Sequence, residues 1–365
     1  MSAPRAVPAL VMAGLAVMLG AGIWLLSGTP GTLVNEEPPS LGPTRQAGDE
    51  TVLVRVEEGA NAREIGQDLE AAGVIQSARL FRVLASLMAA GDDLVAGDYE
   101  FERGETALAA VNRISQGLTA PLVVAFPEGM RAEEAGELLE QRGIVSAEEF
   151  RTALDDVYVA PFLAELPPEA GLEGFLFPAT YGFARGIGGH QVVQQFLSAF
   201  DSRYQESIVP LLAASGRSLL DVVTLASIVE REARVAGERP IIAGLFLNRL
   251  EIGMPLQADP TVQYALGGDA AGVQEFGHWK RELTVADLEL NSPYNTYVNV
   301  GLPPGPIASP GLDSILAVLQ PADTNFLFFV ARPDGCHLFA ETLEEHNQNV
   351  SAIEAGIEST EECQP

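Results

Sequence analysis

The longest apolar run in the chain comes first. Residues 7–26, VPALVMAGLAVMLGAGIWLL, contain no charged side chain, and about 20 such residues cross a bilayer core as a helix. Arg5 and the α-amino group precede the run, and the next charges are Glu36 and Glu37. The positive-inside rule then leaves residues 1–6 in the cytoplasm and carries the rest outside. A cleaved signal peptide is the competing reading. The run is longer than a usual signal core, and IWLLSGTPG offers no clean A-x-A site, which favours an uncleaved anchor. Trp24 suits the outer interface. Residues 27–50, rich in Pro, Gly and acid, bury little and predict a flexible tether.

Two later stretches share one pattern at an offset of 70 residues. VRVEEGANAREIGQDLEAAGVIQS (54–77) aligns without gaps on VAFPEGMRAEEAGELLEQRGIVSA (124–147). Glu58/Glu128, Gly59/Gly129, Glu64/Glu134, Gly66/Gly136, Leu69/Leu139 and Gly73/Gly143 are among the identities. Each copy predicts a short strand, a glycine turn, a helix stopped by glycine, and a second short helix bearing Phe81 or Phe150. Two copies are too few for a solenoid. Between them, VAGDYEFERGETALAAVNRISQG predicts a strand at 99–101 and a helix that closes a small α+β unit near Gly117. Further strands are expected at 122–126, around 297–300, and at 325–331. The last, NFLFFVA, is apolar enough for a buried central strand. Asp334-Gly335 predicts a hairpin turn.

After Ser218 the period becomes helical. Leu219, Val222, Val223, Ala226, Val229 and Ala233 share one stripe at about 100° per residue, and Ser218 with Asp221 predicts a capping box that fixes the phase. Glu230 falls about 40° from Ala226, inside the stripe, while Glu232 lies beyond its edge. A carboxylate in such a setting either finds a partner or keeps its proton. A carboxyl that keeps its proton at neutral pH is a general acid, which makes Glu230 the candidate. The plainer reading is a buried ion pair, with Arg234 one turn on. Two polar-aromatic loops follow. NRLEIGMPLQADPTVQYALG carries Gln257, Asp259, Thr261, Gln263 and Tyr264, and NSPYNTYVNVGLPPGPIASPG is stiffened by Pro303, Pro304, Pro306 and Pro310. Loops of this kind suit sugar recognition, although several of their Asn and Asp residues will cap their own turns.

The totals narrow the classes. At 365 residues, two or three domains are expected. A net charge of −29 with 21 Lys and Arg excludes nucleic acid as a partner. Two cysteines, Cys336 and Cys363, are too few for a disulfide framework or a zinc site, and the sequence leaves open whether they pair. Four scattered histidines show no ligand spacing, so no metal or cofactor is expected.

LASIVEREA, ERPIIAGLFLNRLEIGMPLQADPTVQYALG, SPYNTYVNVGLPPGPIASPG and DGCHLFAETLEEHNQNV, in that order, resemble the signature blocks of the MltG (YceG-like) family of endolytic murein transglycosylases. GLEGFLFPATYGF (171–183) is similar to the family's upstream block, and the likeness runs from Val52 to Val350. The resemblance implies an α+β fold with an N-terminal transmembrane helix, a LysM-like module over 51–118, a YceG-like catalytic domain over 119–352 and a tail over 353–365. The small module then binds glycan or serves as a spacer. The resemblance also implies a bacterial inner-membrane protein with its catalytic domain in the periplasm, working on peptidoglycan strands beside penicillin-binding proteins. Its catalytic glutamate, carried over as the first Glu of the SIVE block, falls on Glu230. The implied reaction cuts the β-1,4 bond between N-acetylmuramic acid and N-acetylglucosamine in nascent strands and leaves a 1,6-anhydro end.

Loop chemistry and motif position make Gln257, Asp259, Tyr264, Asn295 and Tyr297 candidate substrate contacts, with Glu173 a supporting acid. Arg249 either touches substrate or holds a helix end, and His337 and His346 either line the cleft or pack. Two other readings stand beside the first. One is a non-catalytic glycan-binding scaffold. The other is a hydrolytic muramidase, which needs a second acid such as Asp259 about 6.5–9.5 Å from the first.

Overall fold

The computed structural model describes residues 51–88, 94–268 and 270–356. The expected anchor, the tether and most of the tail lie outside them. Among the described residues no single helix is long and apolar enough to cross a membrane. The fold is mixed α+β, as expected, with strands that pair two by two.

The chain opens with β1 (Thr51–Val56), α1 (Ala62–Ala71), α2 (Ala78–Leu87), β2 (Gly97–Glu102) and α3 (Ala107–Ser115). β1 and β2 run antiparallel with Val54 opposite Tyr99. Alternation turns Val54, Val56, Tyr99 and Phe101 inward, where they close a hydrophobic cluster with Ile65, Leu69 and Phe81. Residues 122–203 repeat the plan as β3 (Leu122–Ala125), α4 (Ala132–Gln141), α5 (Ala147–Ala153), β4 (Thr180–Phe183) and α6 (Gly189–Arg203). Here Val124 pairs with Tyr181.

The two copies are built by the same contacts. Glu64 and Glu134 accept from the backbone N–H groups of Asn61 (3.1 Å) and Arg131 (3.0 Å), one half of a capping box in each case. Gly73 and Gly143, at φ 74° and 67°, end the first helices in the left-handed region that glycine enters without strain. A Cβ on Gly66 or Gly136 would lie 3.2 or 3.1 Å from the ring of Phe81 or Phe150, so each glycine lets an aromatic ring seat on the helix. The likeness extends beyond the stretch that aligns without gaps. Tyr99 donates to the carbonyl of Val95 (2.7 Å), and Tyr181 donates to that of Phe177 (2.6 Å).

The second copy merges into a larger core. Around it lie α7 (Val209–Ser215), α8 (Leu219–Glu232), α9 (Arg239–Glu251), α10 (Asp259–Leu266), α11 (Ala270–Phe276), α12 (Val285–Leu288) and α13 (Leu312–Leu319). The hairpin β5 (Phe328–Ala331) and β6 (His337–Ala340) follows, then α14 (Leu343–Glu354). Helix α8 is the pivot, packed on α9, α10 and α13. Every side chain from Val222 to Val229 is buried, as in a helix enclosed on all sides rather than along one stripe.

Two strand expectations need correction. Residues 297–300 form turns, because Asn295 and Asn299 spend their side chains on the carbonyls of Leu288, Leu290, Ser292 and Asn295. The run at 325–331 narrows to β5, which is half-buried in a two-stranded hairpin rather than central. The side chains of Asn248 and Arg249 take the carbonyls of Thr324, Phe326 and Leu327 that a further strand would need. The turn at Asp334-Gly335 forms, with Gly335 at φ 94°. Cys336 is in a disulfide, and the only other cysteine, Cys363, lies outside the described residues.

Candidate active site

Ser218 caps α8, its Oγ accepting from Asp221 N at 3.1 Å. Near the other end of the helix stand Glu230 and Glu232. Two residues at about 100° each set them roughly 200° apart, on opposite sides of α8.

Glu230 is engaged. Its carboxylate accepts from the Gly311 N–H (3.0 Å), the Ser314 hydroxyl (2.7 Å) and the Arg239 guanidinium (3.3 Å), with the side chain 7% exposed. It therefore clasps α8 to α9 and to the start of α13. The ion pair weighed in the sequence exists, with Arg239 in place of Arg234. Glu128 from the second repeat copy joins it, 3.6 Å from Arg239, its carboxyl raised by burial and then by the charge of Glu230.

Glu232 faces a cavity of about 380 Å³. Gln257, Asp259, Tyr297, Arg249, His337 and His346 share its lining with β5, a volume in the range of small-ligand sites. Among the described residues no protein group donates a hydrogen bond to the Glu232 carboxyl. Burial pushes that carboxyl up to about 8 and the charge of Asp259 adds to the push, against Arg249, Arg234 and Arg231. At neutral pH it holds a proton and has it free to give.

The two loops form one wall of this cavity because they are stitched together. Gln257 N donates to Thr296 O (3.1 Å), Ala258 N donates to the Thr296 hydroxyl (3.0 Å), and the Thr261 and Thr296 hydroxyls lie 2.9 Å apart. Asn295, fully buried, accepts from Tyr297 N (2.9 Å) and so shapes the loop from below rather than touching a ligand. The Tyr297 hydroxyl donates to Asp259 (2.5 Å), and burial followed by that bond raises its pKa. Gln257 has φ 49°, the one non-glycine residue among those described in the left-handed region. Backbone strain of this kind costs about 1–2 kcal/mol and clusters at functional sites. Arg249 spends its guanidinium on the carbonyls of Leu256 and Leu327, both at 2.6 Å, and so holds a helix end against the loops. His337 is bound by Glu238 (2.6 Å), and burial followed by the charge of Arg249 lowers the His346 pKa.

Tyr264 and Glu173 do not line the cavity. They share a joint between α4 and α10, where the charge of Glu173 acts on Tyr264, Arg131 lies 4.2 Å over the Tyr264 ring and the Tyr294 ring is tilted against it with centroids 4.8 Å apart. Glu173 accepts from Ala132 N (3.2 Å), and burial, then the charge of Glu133, pushes its carboxyl up to about 8. Of the seven residues singled out in the sequence, the cavity thus gathers three, Gln257, Asp259 and Tyr297, around an acid the sequence reading passed over. The one cue for Glu232 was its place on the far side of the helix from Glu230, and nothing local says which side the loops occupy.

The comparisons agree with this arrangement of elements. The YceG-like family profile matches residues 54–352. The endolytic murein transglycosylase of Bacillus subtilis (strain 168) is 30% identical over 321 residues, covering 84% of this chain and 86% of the relative. That of Streptococcus pneumoniae is 30% identical over 328 residues, covering 82% of this chain and 58% of the longer relative. The crystal structure of a yceG-like protein from Listeria monocytogenes superposes with a TM-score of 0.55 at 32% identity, over 82% of this chain and 98% of that one. With the profile spanning most of its length, the chain belongs to the YceG-like family.

Proposed function

We propose that the protein is an endolytic murein transglycosylase, anchored in the inner membrane by residues 7–26, that cuts nascent glycan strands with Glu232 as its general acid. One observation carries the choice of residue. Among the described residues, Glu232 alone combines a place in the loop-lined cavity with a carboxyl that holds its proton at neutral pH. Protonated Glu232 gives its proton to O4 of the departing N-acetylglucosamine as the C1–O4 bond breaks. Its carboxylate then takes the proton of the muramic acid C6 hydroxyl, whose oxygen closes onto C1. The glycan supplies its own nucleophile, the acid returns to its starting state, and a 1,6-anhydro end results. Penicillin-binding proteins, which make such strands, are the partners this role entails.

Glu232→Gln keeps shape and removes the proton, so cleavage of uncrosslinked glycan strands falls by at least about 10². Glu230→Gln loses a charged clasp instead. It costs about 1–3 kcal/mol of stability and leaves turnover near wild type below its melting range. A Glu232→Gln enzyme that still cuts, or a Glu230→Gln enzyme that is folded and dead, overturns the assignment. The wild-type rate falls as pH climbs past about 8, where Glu232 loses its proton.

A hydrolytic reading has one observation in its favour: a second carboxylate, Asp259, lines the same cavity. Mass spectrometry of the products separates the two, since a hydrolysed end is heavier by one water.

A further inference from the structure

Asp259 is the first residue of α10, where the helix dipole favours a negative side chain. The Tyr297 hydroxyl holds one carboxylate oxygen at 2.5 Å. Thr296, beside Tyr297, fixes the backbone just before Asp259 through its bond from Ala258 N, so carboxylate and phenol are placed by the same stitched loops. Both line the cavity with Glu232.

We infer that Asp259, oriented by Tyr297, is a positioning residue for the reaction, a fixed anion that keeps the proton on Glu232 until the sugar oxygen takes it. The inference rests on the reading of Glu232 as the acid. Its logic is electrostatic. The cations near Glu232 are Arg249 of α9, Arg231 of α8, and Arg234 just past the end of α8, and all three favour the ionised carboxylate. Asp259 is the charge that opposes them. His337 is occupied by Glu238, while His346 is turned toward its neutral form by burial. With Asp259 neutralised, burial alone holds the proton against the three arginines, and Glu232 ionises at lower pH. Tyr297 is a second lever on the same charge, because without its bond the Asp259 carboxylate is free to swing from its place.

The test is the pH profile of kcat/KM on uncrosslinked glycan strands for wild type, Asp259→Asn and Tyr297→Phe, with Glu232→Gln alongside and folding checked by thermal melting. In Asp259→Asn the alkaline limb moves down by about one pH unit. Activity then falls about fivefold at pH 8 while staying within about twofold at pH 6. Tyr297→Phe moves the limb the same way by less, and Asp259→Glu restores part of it. A loss equal at every pH in a folded Asp259→Asn enzyme overturns the inference and makes Asp259 a direct reactant or a structural group. An unchanged profile overturns it too. If Glu232→Gln is itself active, the reading of the acid fails first, a separate outcome.

Discussion

Glu173 and Glu232 are pushed in the same direction by the same first cause, burial, and they part in what surrounds them. Glu232 opens on a cavity. Glu173 is closed into the Tyr264 joint, with one carboxyl oxygen bonded to Ala132 N and the other buried without a partner. Such a group affects stability through pH. Its folded pKa, about 8, lies above the 4.5 of the open chain. Its contribution is therefore complete below about pH 4.5 and is lost as pH rises through 8. Glu173→Gln copies the protonated shape at every pH. Its melting temperature should equal wild type at pH 4 and exceed it by several degrees at pH 8.5, each kcal/mol being worth about 2–4 °C in large domains. Thermal melts at the two pH values decide it. A variant less stable at pH 8.5 means that the ionised carboxylate has a partner there after all.

At the level of elements, the sequence carried what local chemistry dictates. The glycine stops, the helix N-termini and the rings of Phe81 and Phe150 could be read at an offset of 70 residues because both copies need the same turns and seats. The later half of the repeat was hidden, because Tyr99 and Tyr181 stand 82 residues apart and a gapless alignment stops short of them. The site was half legible for a related reason. A stripe argument assumes one buried face, but α8 is enclosed all round. Its two glutamates are told apart by residues further along the chain, among them Gly311, Ser314 and Asp259. The repeat itself can be tested. Phe81 and Phe150 hold equivalent seats in separate hydrophobic clusters, and either ring cut to alanine costs about 3–5 kcal/mol. Phe81→Ala should speed amide exchange in α1 to α3 with cleavage little changed. Phe150→Ala should lower the main melting transition and cleavage together. Equal effects of both on exchange around α8 would mean that the two clusters unfold as one.

For the molecule as a whole, net charge and the proposed anchor bear on where a cut can fall. The chain carries −29, so an anionic leaflet repels it rather than holds it. The proposed attachment therefore relies on apolar insertion, for which residues 7–26 have the composition. If residues 7–26 anchor the chain as proposed, cutting is confined to strands close to the membrane rather than spread through the finished wall. These arguments make fractionation informative. The full chain should stay with membranes through high salt and alkaline carbonate and leave them only in detergent, whereas protein beginning at Glu50 should be soluble and still cut isolated strands. Release of the full chain by salt alone would contradict the anchor, since the charge on this protein gives salt nothing attractive to screen. Recovery of a shortened protein, lacking the apolar run, in the periplasmic fraction without detergent would instead point to cleavage after that run, and the enzyme would then reach strands at any depth of the wall.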